Sequence, residues 1–78
     1  MIHQIIQVTP RIKRIVGEMV ASNDYRDAEA MLTDLTECSI IDVEYPGLYD
    51  CHGNFNETLN TWVNSAVIQE IQLQMSGR

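Results

Sequence analysis

The sequence predicts a mainly α fold: an antiparallel two-helix hairpin packed on a longer C-terminal helix, with room for a short β ribbon. Three observations predict it. Apolar residues recur at helical spacing in three separate stretches, cap residues precede those stretches, and the link between the first two is too short for anything but a tight turn. In 78 residues, 45% of them hydrophobic and 21% charged, there is space for one small domain, read as residues 1–78. A core of that size is marginal, and such domains usually add a disulfide, a metal or a second subunit.

The first helix is expected from Thr9 to Ala21. Thr9 suits the cap and Pro10 the first helical position, where the missing N–H removes no hydrogen bond. Ile12, Ile15, Val16, Met19 and Val20 then fall on one face. The second helix is expected to start at Ser22 or Asn23, with Asp24 and Asp27 in its first turn, where carboxylates suit the helix dipole. Its apolar side is Ala28, Met31, Leu32 and Leu35, with Tyr25 before it. The third helix is expected from Asn56 to Met75, announced by Asn54 and Glu57 as a variant capping box. Leu59, Trp62, Val63, Ala66, Val67 and Ile71 form its stripe, widened by Ile68, Leu73 and Met75.

Two segments read both ways. Ser39 to Tyr45 alternates Ile41, Val43 and Tyr45 against Asp42 and Glu44, as a half-buried strand would. The step Leu35, Cys38, Ile41 equally prolongs the second helix. Ile2 to Val8 is also β-friendly, and the two segments together supply the optional ribbon. Pro46-Gly47 then opens a loop running through Tyr49, Asp50, Cys51, His52 and Gly53. Phe55 and Trp62 are assigned to the core, Tyr49 to the surface.

Charge limits the partners. The chain carries a formal net charge of −6, and its cations are gathered at Arg11, Lys13, Arg14, Arg26 and Arg78. Such a surface repels phosphate backbones and anionic lipids and attracts basic proteins. Direct nucleic-acid binding is therefore not expected; as a helix-turn-helix, the second helix would enter the groove carrying five acids. Apolar runs are too short to span a bilayer, and the N-terminus lacks the order of a secretory signal. A cytoplasmic protein with Cys38 and Cys51 reduced is the expectation. Arg11, Lys13 and Arg14 open the first helix and Asp34 and Glu37 close the second, each against its dipole, and a hairpin would let them offset one another.

No catalytic site is expected, and no cofactor. His3, Cys38, Cys51 and His52 are the only nitrogen and sulfur ligands, and none are spaced as zinc pairs. Cys51 and His52 lack an orienting partner or oxyanion hole. The functional expectation is a non-catalytic inhibitor or adaptor, of the sort encoded by phage and other small mobile-element genomes. Its acidic surface would cover a basic, nucleic-acid-binding surface of another protein. The partner-binding candidates are Asp24, Asp27, Glu29, Asp34, Glu37, Tyr49 and Asp50. The alternative is a structural assembly module. A homodimer is expected, with Trp62, Val63, Val67 and Ile71 at the self-association contact and the third helix's Asn, Gln, Ser and Thr side chains facing outward.

Overall fold

The computed structural model describes residues 6–22 and 27–77. Four α-helices form there: α1 (Pro10–Ser22), α2 (Ala28–Glu37), α3 (Ile40–Glu44) and α4 (Glu57–Ser76), with a 3₁₀ turn over Pro46–Leu48. The fold is mainly α, as expected. The long helix α4 packs against both arms, α1 and α2, while α3 packs on α1 and α2 and touches the 3₁₀ turn. That turn in turn lies on α4.

Helix α1 begins as its sequence dictates. Thr9 Oγ1 accepts from the Ile12 N–H at 3.2 Å, and the Thr9 carbonyl accepts the Lys13 N–H at 3.0 Å. Ile12, Val16 and Val20 are buried, with Ile15 and Met19 packed at the margin of the core. The start of α2 is corrected. Ser22 closes α1, and Asp27 is the cap of α2, its Oδ1 accepting the Ala30 N–H at 2.9 Å. Asp24 and Tyr25 lie outside the described residues. Ala28, Met31 and Leu35 face inward.

Within the segment from Ser39 to Tyr45, Ile40–Glu44 forms helix rather than strand. Ser39 stands in the left-handed region at φ 61°, breaking the chain between α2 and α3. The five residues of α3 bury Ile41 and leave Val43 61% exposed. A strand would have put both on one face. Ile6 and Val8 form no strand either; they pack against the core as irregular chain, and Ile2 lies outside the described residues. The cap of α4 is corrected from Asn54 to Asn56, whose Oδ1 accepts the Leu59 N–H at 3.0 Å. Glu57 is thereby the first helical residue rather than the third.

The core draws on every element: Ile12, Val16, Met31, Leu35, Ile41, Leu48, Val63, Val67 and Ile71 are all nearly or wholly sealed from solvent. Burying an aliphatic side chain of this kind contributes about 1.5–3 kcal/mol. No charged or polar residue is buried among the described residues. Every charged side chain among the described residues is therefore at least partly exposed.

Candidate functional site

Helix α2 presents acids on the side away from its core face. Glu29 and Glu37 stand two turns apart in one exposed row with Thr33 between them. Asp34 lies at the edge of this row and is partly buried. Asp27 is exposed but already engaged as the cap. From Asp27 to Gly77 the sequence holds no lysine or arginine at all. Of the basic group opening α1, Arg11 reaches the Glu44 carboxylate of α3 at 3.5 Å, where opposite charges at the end of α2 were expected. Lys13 and Arg14 are exposed.

A second feature is built by the loop after the 3₁₀ turn. Leu48 anchors its base in the core, and the Asn56 N–H donates to the Leu48 carbonyl at 2.8 Å. Tyr49 and Phe55 then pair as an isolated antiparallel bridge. Inside that bridge the Asp50 N–H donates to the Asn54 carbonyl and the Gly53 N–H to the Asp50 carbonyl, both at 3.0 Å. Gly53 takes φ 81°, the left-handed conformation that closes a three-residue hairpin loop and that favours glycine. The Asp50 side chain fixes the tip. Its Oδ1 accepts the N–H groups of His52 and Asn54, each at 2.8 Å, and its Oδ2 accepts from Asn54 Nδ2 at 3.2 Å. Donation from the Asn54 main chain is the chief cause holding this carboxyl below its usual range.

On this hairpin the two aromatic rings meet at a centroid distance of 5.1 Å and an interplanar angle of 51°. Both remain largely in water, Tyr49 at 47% and Phe55 at 43% exposure. Tyr49 is where the sequence placed it. Phe55 is corrected from core to surface, because the loop turns it toward Tyr49 rather than toward α4. The signal that locates it is the Asp50-x-x-Gly53 turn set between two aromatic residues.

Along α4, Val63, Val67 and Ile71 are completely buried in the chain's own core, so packing on α1 and α2 replaces their expected place at a contact between copies. Trp62 is half-buried, and Thr61, Ser65, Gln69, Gln72 and Leu73 face outward. A shallow groove of about 260 Å³ runs between Ile6 to Val8, Lys13 and the flank of α4 carrying Ala66, Glu70 and Leu73. Glu70 is occupied there as an acceptor for Gln74 Nε2 at 2.8 Å.

Among the described residues no cluster of His, Cys, Asp and Glu is disposed to hold a metal ion, and none of their helices is long and apolar enough to cross a membrane. Cys38 and Cys51 are exposed free thiols. Comparison of the chain with protein-family models, with curated proteins and with solved structures finds no match.

Proposed function

We propose that this chain is a non-catalytic inhibitor or adaptor that covers a basic surface of another protein, one of the sort that nucleic acid occupies. The observation that carries the reading is the outward row of α2, with Glu29 and Glu37 exposed on a stretch of chain free of lysine and arginine. Carboxylates held on a short rigid helix can compete with phosphates for the same cations, by charge and by spacing. The test is capture of partners from nuclease-treated lysate at low and high salt. A stoichiometric, salt-sensitive protein is expected on the native chain and not on Glu29→Lys/Glu37→Lys. It should also release its nucleic acid when the native chain is added. Equal capture by both forms would remove the acidic row from the mechanism.

A second reading, a homo-oligomeric assembly module, is favoured by Leu73, which stands 69% exposed on α4 beside a run of uncharged amides and hydroxyls. Neutral amides can enter an interface without the desolvation cost of ions. Light scattering would show a defined oligomer that Leu73→Lys dissolves and the α2 charge reversals leave intact.

A further inference from the structure

We infer that Tyr49 and Phe55 form a platform on which an arginine side chain of a basic partner stacks. The inference rests on the reading of the chain as a cover for a basic surface, and it names the side chain that surface must offer.

Three properties of the hairpin combine here. The rings are paired across its base and still expose roughly half their area. Cross-strand pairing of aromatics accounts for the contact between the rings, but their outer faces add only apolar surface in water. The tip is rigid, since three hydrogen bonds to Asp50 and the buried Leu48 fix its shape. A platform ordered in advance loses little entropy on binding, and Tyr is among the residues that concentrate binding energy for this reason.

The surrounding charge selects the occupant. Nine carboxylates and no cation belong to the stretch from Asp27 to Gly77, and the faces of both rings carry the negative lobe of their quadrupole. The Asp50 carboxylate that organises the tip of the same hairpin adds a negative charge to this loop. Exposed ring faces on an acidic stretch of chain suit a cation that is planar and weakly hydrated. Arginine meets that description better than lysine, whose ammonium is compact and strongly hydrated.

The experiment is calorimetric titration of the full chain at low salt with hexa-arginine and with hexa-lysine peptides. Hexa-arginine is expected to bind roughly 5-fold or more tightly than hexa-lysine. Tyr49→Leu/Phe55→Leu keeps an apolar pair across the hairpin but removes both ring faces. It should bring hexa-arginine down to the affinity of hexa-lysine, with an unchanged far-UV circular dichroism spectrum. Each single leucine variant should lose part of the preference. Glu29→Gln/Glu37→Gln should weaken both peptides alike. Binding of both peptides with no preference for arginine, or a preference that survives the double leucine variant, would overturn the platform and leave the acidic cover standing. Failure of both peptides to bind would remove the acidic cover and the platform with it.

Discussion

Thr9 and Glu44, 35 positions apart in sequence, share a 2.6 Å hydrogen bond, the Thr9 hydroxyl donating to Glu44 Oε1. The same hydroxyl oxygen accepts the Ile12 N–H and so caps α1. Glu44 Oε2 faces Arg11 at 3.5 Å. One carboxylate at the end of α3 therefore ties down the beginning of α1, and the next residue adds a second tie, with the Tyr45 phenol donating to the Gln7 carbonyl at 2.8 Å.

The Thr9–Glu44 bond joins a neutral hydroxyl to a charged, partly buried acceptor, the class of hydrogen bond that contributes about 1.5–3 kcal/mol. Thr9→Ala also loses the cap, a further loss of about 1 kcal/mol. Urea denaturation of Thr9→Ala, Glu44→Ala and the double variant should give a coupling of about 1 kcal/mol or more. Arg11→Ala should change stability by under about 0.5 kcal/mol, because that pair is long and its guanidinium is half exposed. A coupling near zero between Thr9 and Glu44 would mean that α3 does not hold α1.

Tyr45 makes the same tie sensitive to alkali. Burial raises its pKa above the usual 10.0, the main chain of Thr9 pulls against this, and the charge of Glu44 adds to the rise. Since the folded pKa exceeds the unfolded one, the neutral phenol contributes its stability in full below pH 10. The contribution is lost as pH rises through the folded pKa, where a phenolate can no longer donate to Gln7. Stability measured upward from pH 9 should fall for the native chain and stay flatter for Tyr45→Phe. Parallel curves would show that the phenol is not linked to folding.

These ties explain which parts of the fold were legible. Helix α1 could be read because its cap, its proline and its apolar period all agree, and local agreement of that kind leaves one solution. Helix α3 could not. Its alternation of Ile41, Val43 and Tyr45 is a strand pattern, and what decides against a strand is tertiary: Ile41 fits the space between α1 and α2, and Glu44 reaches Thr9. Nor does a serine announce a left-handed conformation. The cap of α4 was misplaced because Asn54 and Asn56 are equally good caps by type, and only the hairpin, which engages Asn54 with Asp50, separates them. The site divides in the same way. The acids of α2 follow from composition and period, whereas the exposure of Phe55 depends on a turn whose hydrogen bonds no periodicity records.

Ser39 offers a direct gain in stability. It sits just past the C-cap of α2, at φ 61° and ψ 18°, with its N–H donating to the Thr36 carbonyl at 3.1 Å. A side chain in that conformation costs about 1 kcal/mol, and glycine is the usual residue there. Ser39→Gly should therefore raise stability by about 0.5–1 kcal/mol in spite of the extra freedom glycine brings to the unfolded chain. Thermal melts would register a higher Tm. A lower one would mean that the Ser39 side chain contributes more than its strain removes.

Gly17 and Gln74 should prove coupled. Gln74 Nε2 of α4 donates to the Lys13 carbonyl at 3.0 Å and to Glu70 Oε2 at 2.8 Å. The amide oxygen is thereby held where a β-carbon on Gly17 would stand 3.1 Å away. Alanine in a helix interior is worth about 0.5–1 kcal/mol over glycine, but here it must displace an amide bonded on two sides. Gly17→Ala should be close to neutral alone and should stabilise by about 0.5–1 kcal/mol in a Gln74→Ala background. An equal gain in both backgrounds would show that Gln74 does not restrain the crossing of α1 and α4.

The hairpin tip should respond to acid in the opposite sense to Tyr45. The main-chain N–H of Asn54 first, and then the other donors in the loop, hold the Asp50 carboxyl below its usual 3.8. With the folded pKa depressed, the contribution of Asp50 to hairpin order is complete above pH 3.8 and disappears as pH falls through the lower folded value. Protonation weakens both acceptor oxygens, so the amide resonances of His52 and Asn54 should move together, with one midpoint below 3.8. The ring resonances of Tyr49 and Phe55 should follow the same curve, because the tip sets the distance between them. Asp50→Asn should abolish this titration, keeping an acceptor but no charge to lose. A midpoint at or above 3.8 in the native chain would mean that the loop donors do not favour the charged form, and that Asp50 does not hold the aromatic pair in place.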